Sequence, residues 1–416
     1  MLWLIQCAMG LDMIEVPSRL EGVPLYDGDL FASEALKDPF PHYAAIRDLG
    51  PVIRLKNPDV LAIGRYEDVR KALQSPEILI SGKGIGFNAF VNQPVPEPGL
   101  LTSDGERHRK LRSALMKQLS PAALKPTRDM LKGMIDAQVQ RFTGGGTFDG
   151  IAEIATHLPL GAISNLVGLP EQDRAKMLRW ASASFNVLGV IERDGKIIPN
   201  LKDDLGTAAE VRDYIANLDP DTLRPGSWAA EQIEQVKSEG MTIGDARSNI
   251  RAFVLPSLDT TIYAMGNLLY NLGRNPEQYQ LLRRDPSLIS SAVFEGVRLS
   301  AVVRWFSRVA VEDYTAGDVF VPKGERVMIL YGSANRDPRR YENADAFDVT
   351  RKPVDQLGWG AGPHICAGMN LARMEMEALL EALVQRVARI EVDEPTLGAN
   401  NGLYGFDHLP LRFFAA

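Results

Sequence analysis

The sequence predicts a mainly α-helical single domain with a minor β-sheet portion. Three observations favour this class. Helical spacing of apolar residues dominates the chain after residue 104. The short apolar runs that indicate strands are few. Composition is even along all 416 residues, with 45% hydrophobic and 24% charged residues and no linker, repeat or low-complexity segment, so the length does not require a second domain.

The amino-terminal part mixes helical and extended patterns. Residues 39–49 and 66–73 show helical spacing, and the apolar runs 52–55 and 60–63 between them predict a hairpin. Residues 78–101 are rich in Gly, Pro and Asn and carry apolar residues without a period. Such a segment is typical of a binding loop.

The first residues predict no membrane anchor. The run MLWLIQCAMG is apolar but too short to cross a bilayer, and it lacks the basic segment of a signal peptide. We expect residues 1–20 to be a flexible extension and residues 21–416 to form the domain.

The later part alternates helices and breaks. The triple glycine at 144–146 is interpreted as a turn. A long helical pattern over 242–272 runs through Pro256, which removes one backbone hydrogen bond and kinks or ends a helix. Further helices are expected at 289–299 and 367–386, and extended segments at 309–311, 326–329 and 404–414.

Charge and cysteine content exclude several classes of protein. The net charge of −7 disfavours a non-specific nucleic-acid binder, since such proteins are usually basic. The two cysteines, Cys7 and Cys366, cannot form a disulfide framework, and with five histidines a zinc cluster is hard to build. We therefore predict a cytoplasmic monomer that binds neither nucleic acid nor membrane.

One loop, Trp359 to Gly368, carries most of the chemical information. It reads WGAGPHICAG and places the thiol of Cys366 at the start of a helix, where a thiolate is favoured. Its glycines allow the backbone to turn and direct amide groups at the sulfur, which tunes an iron–thiolate bond. A lone buried cysteine is usually a small hydrophobic residue, but that interpretation leaves the three glycines and His364 unexplained.

This loop resembles the Phe-Gly-x-Gly-x-His-x-Cys-x-Gly loop of the cytochrome P450 family, with Trp359 in place of Phe. The resemblance implies the single-domain cytochrome P450 fold and haem b as cofactor. It makes Cys366 the axial iron ligand and places Trp359, Gly360 and Gly368 against the cofactor.

A second resemblance lies about seventy residues upstream. Glu295 and Arg298 match the family's Glu-x-x-Arg, and Arg351 matches its downstream arginine. Positions three apart share a helix face, so an ionic network is expected. An exposed helix pair is the alternative for any isolated Glu-x-x-Arg.

Four more residues match the positions that hold the haem propionates in the family. Cationic or donor side chains suit this task because they pair with carboxylates. These residues are His108, Arg112, Arg308 and His364.

The helix through Pro256 resembles the family's oxygen-activating helix. The resemblance makes Thr260 a hydrogen-bonding partner of dioxygen and Asp259 a source of protons, a general-acid role. Pro256 and Ser257 depart from the family's small residues. Either Pro256 distorts the helix for oxygen and Ser257 reaches a ligand or water, or the helix simply kinks and Ser257 bonds a freed carbonyl.

Segments 81–90 and 333–340 are similar to bacterial members that oxidise small para-substituted aromatics, including O-demethylation of 4-methoxybenzoate. The resemblance and the motif offsets supply the candidate substrate-binding residues. They are Phe87, Asn88, Phe185, Leu188, Arg251, Leu255, Val302, Val303, Trp305 and Phe306.

The carboxylate-binding positions of those members match only in part. Arg251 matches their arginine, but Ala252 and Leu255 replace two serines. Three roles are open for Arg304: it supplies a charge to the pocket, it is exposed to solvent, or it binds a haem propionate. Because a buried carboxylate needs several donors, a methoxyphenol or alkylphenol is expected before a methoxybenzoate, with a terpenoid as the alternative substrate.

The expected function is that of a monooxygenase that uses dioxygen and electrons from a ferredoxin and its reductase, ultimately from NAD(P)H. The acid–alcohol pair Asp259 and Thr260 favours this over a peroxide-driven peroxygenase. A non-catalytic haem protein is the remaining alternative.

Overall fold

The computed structural model describes residues 22–94, 98–193 and 195–416. The expected flexible extension, including Cys7, lies outside these residues, and the domain limits stay a prediction. The α-helices are α1 (Ser33–Lys37), α2 (Phe40–Leu49), α3 (Tyr66–Leu73), α4 (Ala89–Asn92), α5 (Gly105–Gln118), α6 (Lys125–Arg141), α7 (His157–Val167), α8 (Glu171–Asn186), α9 (Lys202–Ala216), α10 (Trp228–Ser238), α11 (Ile243–Ser257), α12 (Asp259–Arg274), α13 (Pro276–Arg284), α14 (Ile289–Ser300), α15 (Tyr331–Ala334) and α16 (Met369–Arg386).

Short helical turns of other types connect some of these. They are a π-helix at Ile151–Ala155 and 3₁₀ turns at Leu100–Thr102, Pro199–Leu201, Pro220–Thr222, Pro286–Leu288 and Gly362–His364. The strands are β1 (Leu25–Asp29), β2 (Ile53–Asn57), β3 (Val60–Ile63), β4 (Leu79–Ile80), β5 (Gly144–Asp149), β6 (Glu192–Arg193), β7 (Lys196–Ile197), β8 (Trp305–Ala310), β9 (Tyr314–Ala316), β10 (Val319–Val321), β11 (Arg326–Leu330), β12 (Val387–Val392), β13 (Thr396–Leu397), β14 (Phe406–His408) and β15 (Pro410–Ala415).

The prediction of a mainly helical class is confirmed, since helix makes up 52% of the structure and strand 16%. The largest sheet is mixed, in the order β1-β2-β3-β11-β8-β4, with β3 parallel to β11 and antiparallel to β2. A second, antiparallel sheet has the order β12-β15-β5. The remaining pairs are β9 with β10, β13 with β14 and β6 with β7.

The predicted turn at Gly144–Gly146 is wrong. These glycines open strand β5, which pairs with β15, so that Gly144 lies opposite Phe414 and Thr147 opposite Arg412. Glycine weakens a strand because it has no side chain to pack. Pairing with a partner more than 250 residues downstream overrides that local preference.

The helical pattern over 242–272 forms two helices, so that of the two expected effects of Pro256, a kink or a helix end, the helix end is observed. Helix α11 contains Pro256 and ends at Ser257, Leu258 has φ −92° and ψ −80°, and α12 begins at Asp259. Helix α11 begins with a capping box, in which Thr242 and Asp245 satisfy each other's backbone N–H groups. Asp245 also pairs with Arg107 at 2.7 Å, which fixes α11 against α5.

A large apolar core surrounds α12. Leu268, Leu269 and Leu272 on that helix have no exposed surface, and Leu379 and Leu383 of α16 belong to the same cluster. Burial of such side chains contributes roughly 1.5–3 kcal/mol each before entropic costs. Helices α12 and α16 border the candidate site described below, so the core fixes its walls.

Within the described ranges, no helix has both the length and the apolar character needed to cross a membrane. Location in the cytoplasm and the monomeric state stay predictions.

Candidate active site

An internal cavity of about 420 Å³ brings the predicted cofactor and oxygen-activating residues together. Cys366 and Thr260 both line it, as do His108 and Arg112 of α5. These residues come from three separate parts of the chain. Their convergence on one cavity was expected only from the family resemblance.

The loop before α16 turns back on itself as its glycines predict. Gly360 and Gly362 have φ of +74° and +66°, which glycine adopts without steric cost. A Cβ atom on Gly362 would lie 2.2 Å from the carbonyl oxygen of Leu73, so no larger residue fits there. The amide of Cys366 donates to the Trp359 carbonyl at 2.8 Å, which closes the loop.

The sulfur of Cys366 faces the cavity. Cys366 retains accessible surface and lines the cavity, which is the space that its side chain faces. Burial raises the pKa of the thiol, while the amides of Gly368 and Met369 and the positive charge of Arg112 act in the opposite direction. Trp359 also lines the cavity and packs edge-on against Phe294, with ring centroids 5.1 Å apart.

Donor side chains gather at one side of the cavity. His108 and His364 lie with ring centroids 4.2 Å apart, and Arg112 and Arg308 line the same cavity. Burial and the positive neighbours lower the pKa of His108 to about 4. His108 is 3% exposed, and its Nε2 has no hydrogen-bonding partner among the described residues.

This donor set fits the propionates of haem b. Carboxylates would supply the acceptor that His108 lacks and would compensate the buried guanidinium of Arg112. Within the described chain, no three His, Cys, Asp or Glu side chains cluster to hold a metal ion. Haem would need only one ligand from the protein, the thiolate of Cys366, because the porphyrin would supply nitrogen ligands to the iron itself.

The predicted ionic network forms in full and is buried. Arg298 makes two bonds of 2.7 Å to the Glu295 carboxylate, and Arg351 reaches it at 3.2 Å. Glu295 and Arg298 have no exposed surface, which excludes the alternative of an exposed helix pair. Arg298 also donates to three backbone carbonyls, those of Asn335, Ala344 and Ala346. The network therefore ties α14 to the chain segment that leads into the cysteine loop.

The helix break at Leu258 lies in the wall of the cavity. The hydroxyl of Ser257 donates to the Val254 carbonyl at 2.9 Å, so the simpler of the two predicted roles for Ser257 is the one observed. The hydroxyl of Thr260 donates to the Pro256 carbonyl at 2.5 Å. These hydroxyls bond carbonyls at the end of α11, where the helix has no further amides to offer. The hydroxyl proton of Thr260 is thus used, its oxygen is left as an acceptor, and the residue lines the cavity.

Asp259 does not line the cavity. It is 8% exposed, and burial raises the pKa of its carboxyl to about 7. The charge of Asp407 raises this pKa further, and a hydrogen bond with Ser182 on α8 opposes the rise. The carboxyl therefore gains or loses a proton near neutral pH, as a proton donor requires.

Seven of the predicted substrate-binding residues lie in the cavity wall. They are Phe185, Leu188, Arg251, Leu255, Val302, Val303 and Phe306. Most are apolar, so the wall suits an apolar substrate body.

Three others lie outside the wall, contrary to expectation. The rings of Phe87 and Trp305 stack with their centroids 4.5 Å apart. The indole N–H of Trp305 donates to the Asn401 carbonyl at 2.9 Å. Asn88 donates from its side-chain amide to the carbonyls of Val187 at 2.7 Å and Gly189 at 2.9 Å. These side chains join the loop after β4 to neighbouring segments.

Arg304 fulfils none of its three predicted roles. It is 2% exposed and donates to the carbonyls of Ala35 at 2.9 Å and Leu36 at 3.1 Å. The N–H groups of Arg304 are therefore bonded to backbone carbonyls, and the side chain connects α1 to the segment before β8.

Other wall residues escaped the sequence interpretation. Arg212 of α9 lines the cavity beside Ala208 and Val211, whose helical spacing marks that face as inward. Glu375 of α16 also lines it, and burial raises the pKa of its carboxyl to about 8. Phe90 and Val91 of α4, which lie in the segment 78–101 predicted to be a binding loop, also line the cavity.

Known proteins match this chain over most of its length. Residues 227–395 match the family described as Cytochrome P450. The chain is 34% identical to Cytochrome p450 CYP199A2 of Rhodopseudomonas palustris, over 95% of this chain and 96% of that protein. It is 30% identical to Cytochrome P450-terp of Pseudomonas sp, over 88% of both chains.

Solved structures share the fold of this chain. The structure of CYP108D1 from Novosphingobium aromaticivorans is similar, with a TM-score of 0.80, 25% identity, and coverage of 92% of this chain and 97% of that one. The predicted fold is thereby confirmed. The family's cofactor is iron protoporphyrin IX bound through a thiolate, so haem b is the cofactor here. The chain is a member of the cytochrome P450 family, of the bacterial type.

Proposed function

We propose that this chain is a haem-thiolate monooxygenase that inserts one oxygen atom from O₂ into a small apolar aromatic substrate. The reaction is a hydroxylation or an O-demethylation of a methoxyphenol, alkylphenol or methoxybenzoate. Electrons come from a ferredoxin and its reductase. One observation carries the proposal: the thiol of Cys366 and the hydroxyl of Thr260 open into one cavity with mostly apolar walls.

The site residues have the following roles in this proposal. Cys366 would hold the haem iron through its thiolate, and the bound haem would supply the oxidising chemistry. His108, Arg112, Arg308 and His364 hold its propionates by charge-assisted hydrogen bonds. Gly360 and Gly368 allow the backbone to approach the cofactor closely.

The residues near Thr260 would supply protons to the reaction. Thr260 lies in the cavity wall, and Asp259 is adjacent in sequence and ionises near neutral pH. This pair supports a partner-driven reaction, which consumes two protons with two electrons for each oxygen atom inserted, over a peroxide-driven one, which needs neither electrons nor a proton supply.

The ligand assignment is tested with Cys366→Ala. We expect this variant to lose the optical signature of thiolate ligation and all turnover of 4-methoxyphenol with NADH, ferredoxin and reductase. The matched control is Cys7→Ala, since Cys7 is the other cysteine of the chain. Retention of the signature in Cys366→Ala contradicts the assignment. Wild-type turnover with hydrogen peroxide alone, as fast as with the ferredoxin system, would favour the peroxygenase instead.

A further inference from the structure

Two arginines share one wall of the cavity, away from the cysteine loop. Arg251 lies on α11 and Arg212 on α9, and both line the cavity. Arg251 and Ser257 both lie on α11, and their positions in the sequence place them about 9 Å apart along the helix axis. The two guanidinium groups therefore border the part of the cavity that a substrate occupies, beyond the oxygen-activating residues.

Arg251 makes no hydrogen bond or ion pair with any described residue. Its terminal Nη2 packs against Gly99, where a Cβ atom would lie 3.2 Å from it. Ser248 lies one turn earlier on the same helix face, lines the cavity, and approaches the same glycine. Arginine carries five N–H donors, and all of those on Arg251 are available to a ligand.

Arg212 is used only in part. Its guanidinium stacks on the Phe90 ring at 4.4 Å, and Nη2 donates to the Phe90 carbonyl at 3.2 Å. Its sequence neighbour Asp213 is exposed and forms no ion pair with it at 4.0 Å or less among the described side chains. The remaining donors of Arg212 are thus not matched by a protein anion.

The two charges are unfavourable as they stand. Burial lowers the pKa of both arginines, and the charge of Arg212 lowers the pKa of Arg251 further, whereas the charge of Asp213 raises the pKa of Arg212. Two partly buried cations that repel each other are unfavourable, and an anion between them offsets the repulsion and part of the desolvation cost. A carboxylate matches guanidinium geometry with two parallel hydrogen bonds.

We propose that Arg212 determines substrate specificity, by binding the carboxylate of the substrate jointly with Arg251 and the hydroxyl of Ser248. This inference rests on the proposed function and narrows it to an aromatic acid. Ala252 and Leu255, which also line the cavity, carry no hydrogen-bonding side chain, and the second arginine, on another helix, supplies the further donors that a carboxylate needs. The oxidised position is then at the end of the ring remote from the carboxylate.

The test is a binding titration on the holoenzyme, followed by the shift of the haem Soret band. The probes are 4-methoxybenzoate, its neutral amide, and the same acid–amide pair built on a cyclohexane ring. We expect the wild type to bind the benzoate about 10- to 100-fold more tightly than the amide. Arg212→Met removes most of that preference, and Arg212→Lys retains part of it.

Lys202→Met is the matched control, because Lys202 is exposed on the same helix and its loss changes the net charge equally. Unchanged amide binding in Arg212→Met shows that the pocket is intact. The proposal fails if the wild type binds acid and amide equally, or if Arg212→Met weakens both alike. Arg212-dependent binding of the cyclohexane acid alone would support the arginine pair and refute the aromatic assignment.

Discussion

The two sides of the cavity are built in different ways. The cysteine side is made from a short contiguous loop and a buried ionic network, in which Glu295 and Arg298 have no exposed surface. The substrate side is assembled from the loop after β4 and helices α8, α9 and α11, which meet only in the folded chain. Short sequence motifs therefore predict the cofactor side, whereas the substrate side is formed by tertiary contacts that no short motif records.

The largest effect that separates the two sides is expected at Glu295. Replacement by Ala leaves the buried Arg298 and the partly buried Arg351 without their shared carboxylate. Removing one partner of a buried pair costs about 3–5 kcal/mol, so little folded holoprotein should remain. Haem content and the free energy of unfolding measure the outcome.

Glu106→Ala is the matched control, because its pair with Lys110 is exposed on both sides and is screened by solvent, so its loss should change stability little. Normal haem loading in Glu295→Ala would show that the network does not organise the cysteine side, and the comparison would break there.

A smaller effect is expected at Asp259, which is next to Thr260 in sequence but lies outside the cavity wall. Its carboxyl has a pKa of about 7, so it is protonated and able to donate below that pH and ionised above it. Product formation in the wild type should therefore fall as the pH rises through about 7. Asp259→Asn should be slower by about 100-fold, the lower end of a general-acid contribution, and should lose this pH dependence.

Asp407→Asn sharpens this test. Asp407 raises the pKa of Asp259 by its negative charge, so its removal should move the fall in rate to lower pH without abolishing it. An identical pH profile in wild type and Asp259→Asn would assign the titration to another group.

The smallest effect is expected at Asn88, which anchors the substrate-side loop. Asn88→Ala removes two hydrogen bonds to the 187–189 segment and one that its side chain accepts from the amide of Val91. Each contributes about 0.5–1.5 kcal/mol, and substrate affinity should fall by about five- to tenfold with little change in haem loading. Asn217→Ala is the control, since Asn217 bonds only within its own exposed helix end. Equal affinity in Asn88→Ala and the control would mean that the loop is held by packing alone.

The sequence predicted much of the cofactor side and little of the substrate side for a physical reason. The cysteine loop and the Glu295–Arg298 pair act over a few residues, so spacing alone expresses them. Phe87 and Trp305 are aromatic residues at plausible offsets, but each packs on the other, which no local pattern reveals. Arg304 had three predicted roles, yet backbone carbonyls from α1 take its donors.

One fold error has the same origin. The glycines at 144–146 have turn chemistry, and only strand β15 makes them a strand. The break after Pro256 was placed to within two residues, but hydroxyl groups of Ser257 and Thr260 decide how it ends. Arg212 gave no signal beyond its position beside Ala208 and Val211 on a helix.

The pairing of β5 with β15 also has a consequence for biosynthesis. The Leu409 amide bonds to Asp149, 260 residues earlier, and β15 is the central strand of its sheet. At roughly 5–20 residues per second, β5 leaves the ribosome roughly 10–50 seconds before its partner. An unpaired strand edge is a template for wrong pairing, and three consecutive glycines make a poor template. The residues that weaken β5 in the finished sheet thus protect the nascent chain while it waits.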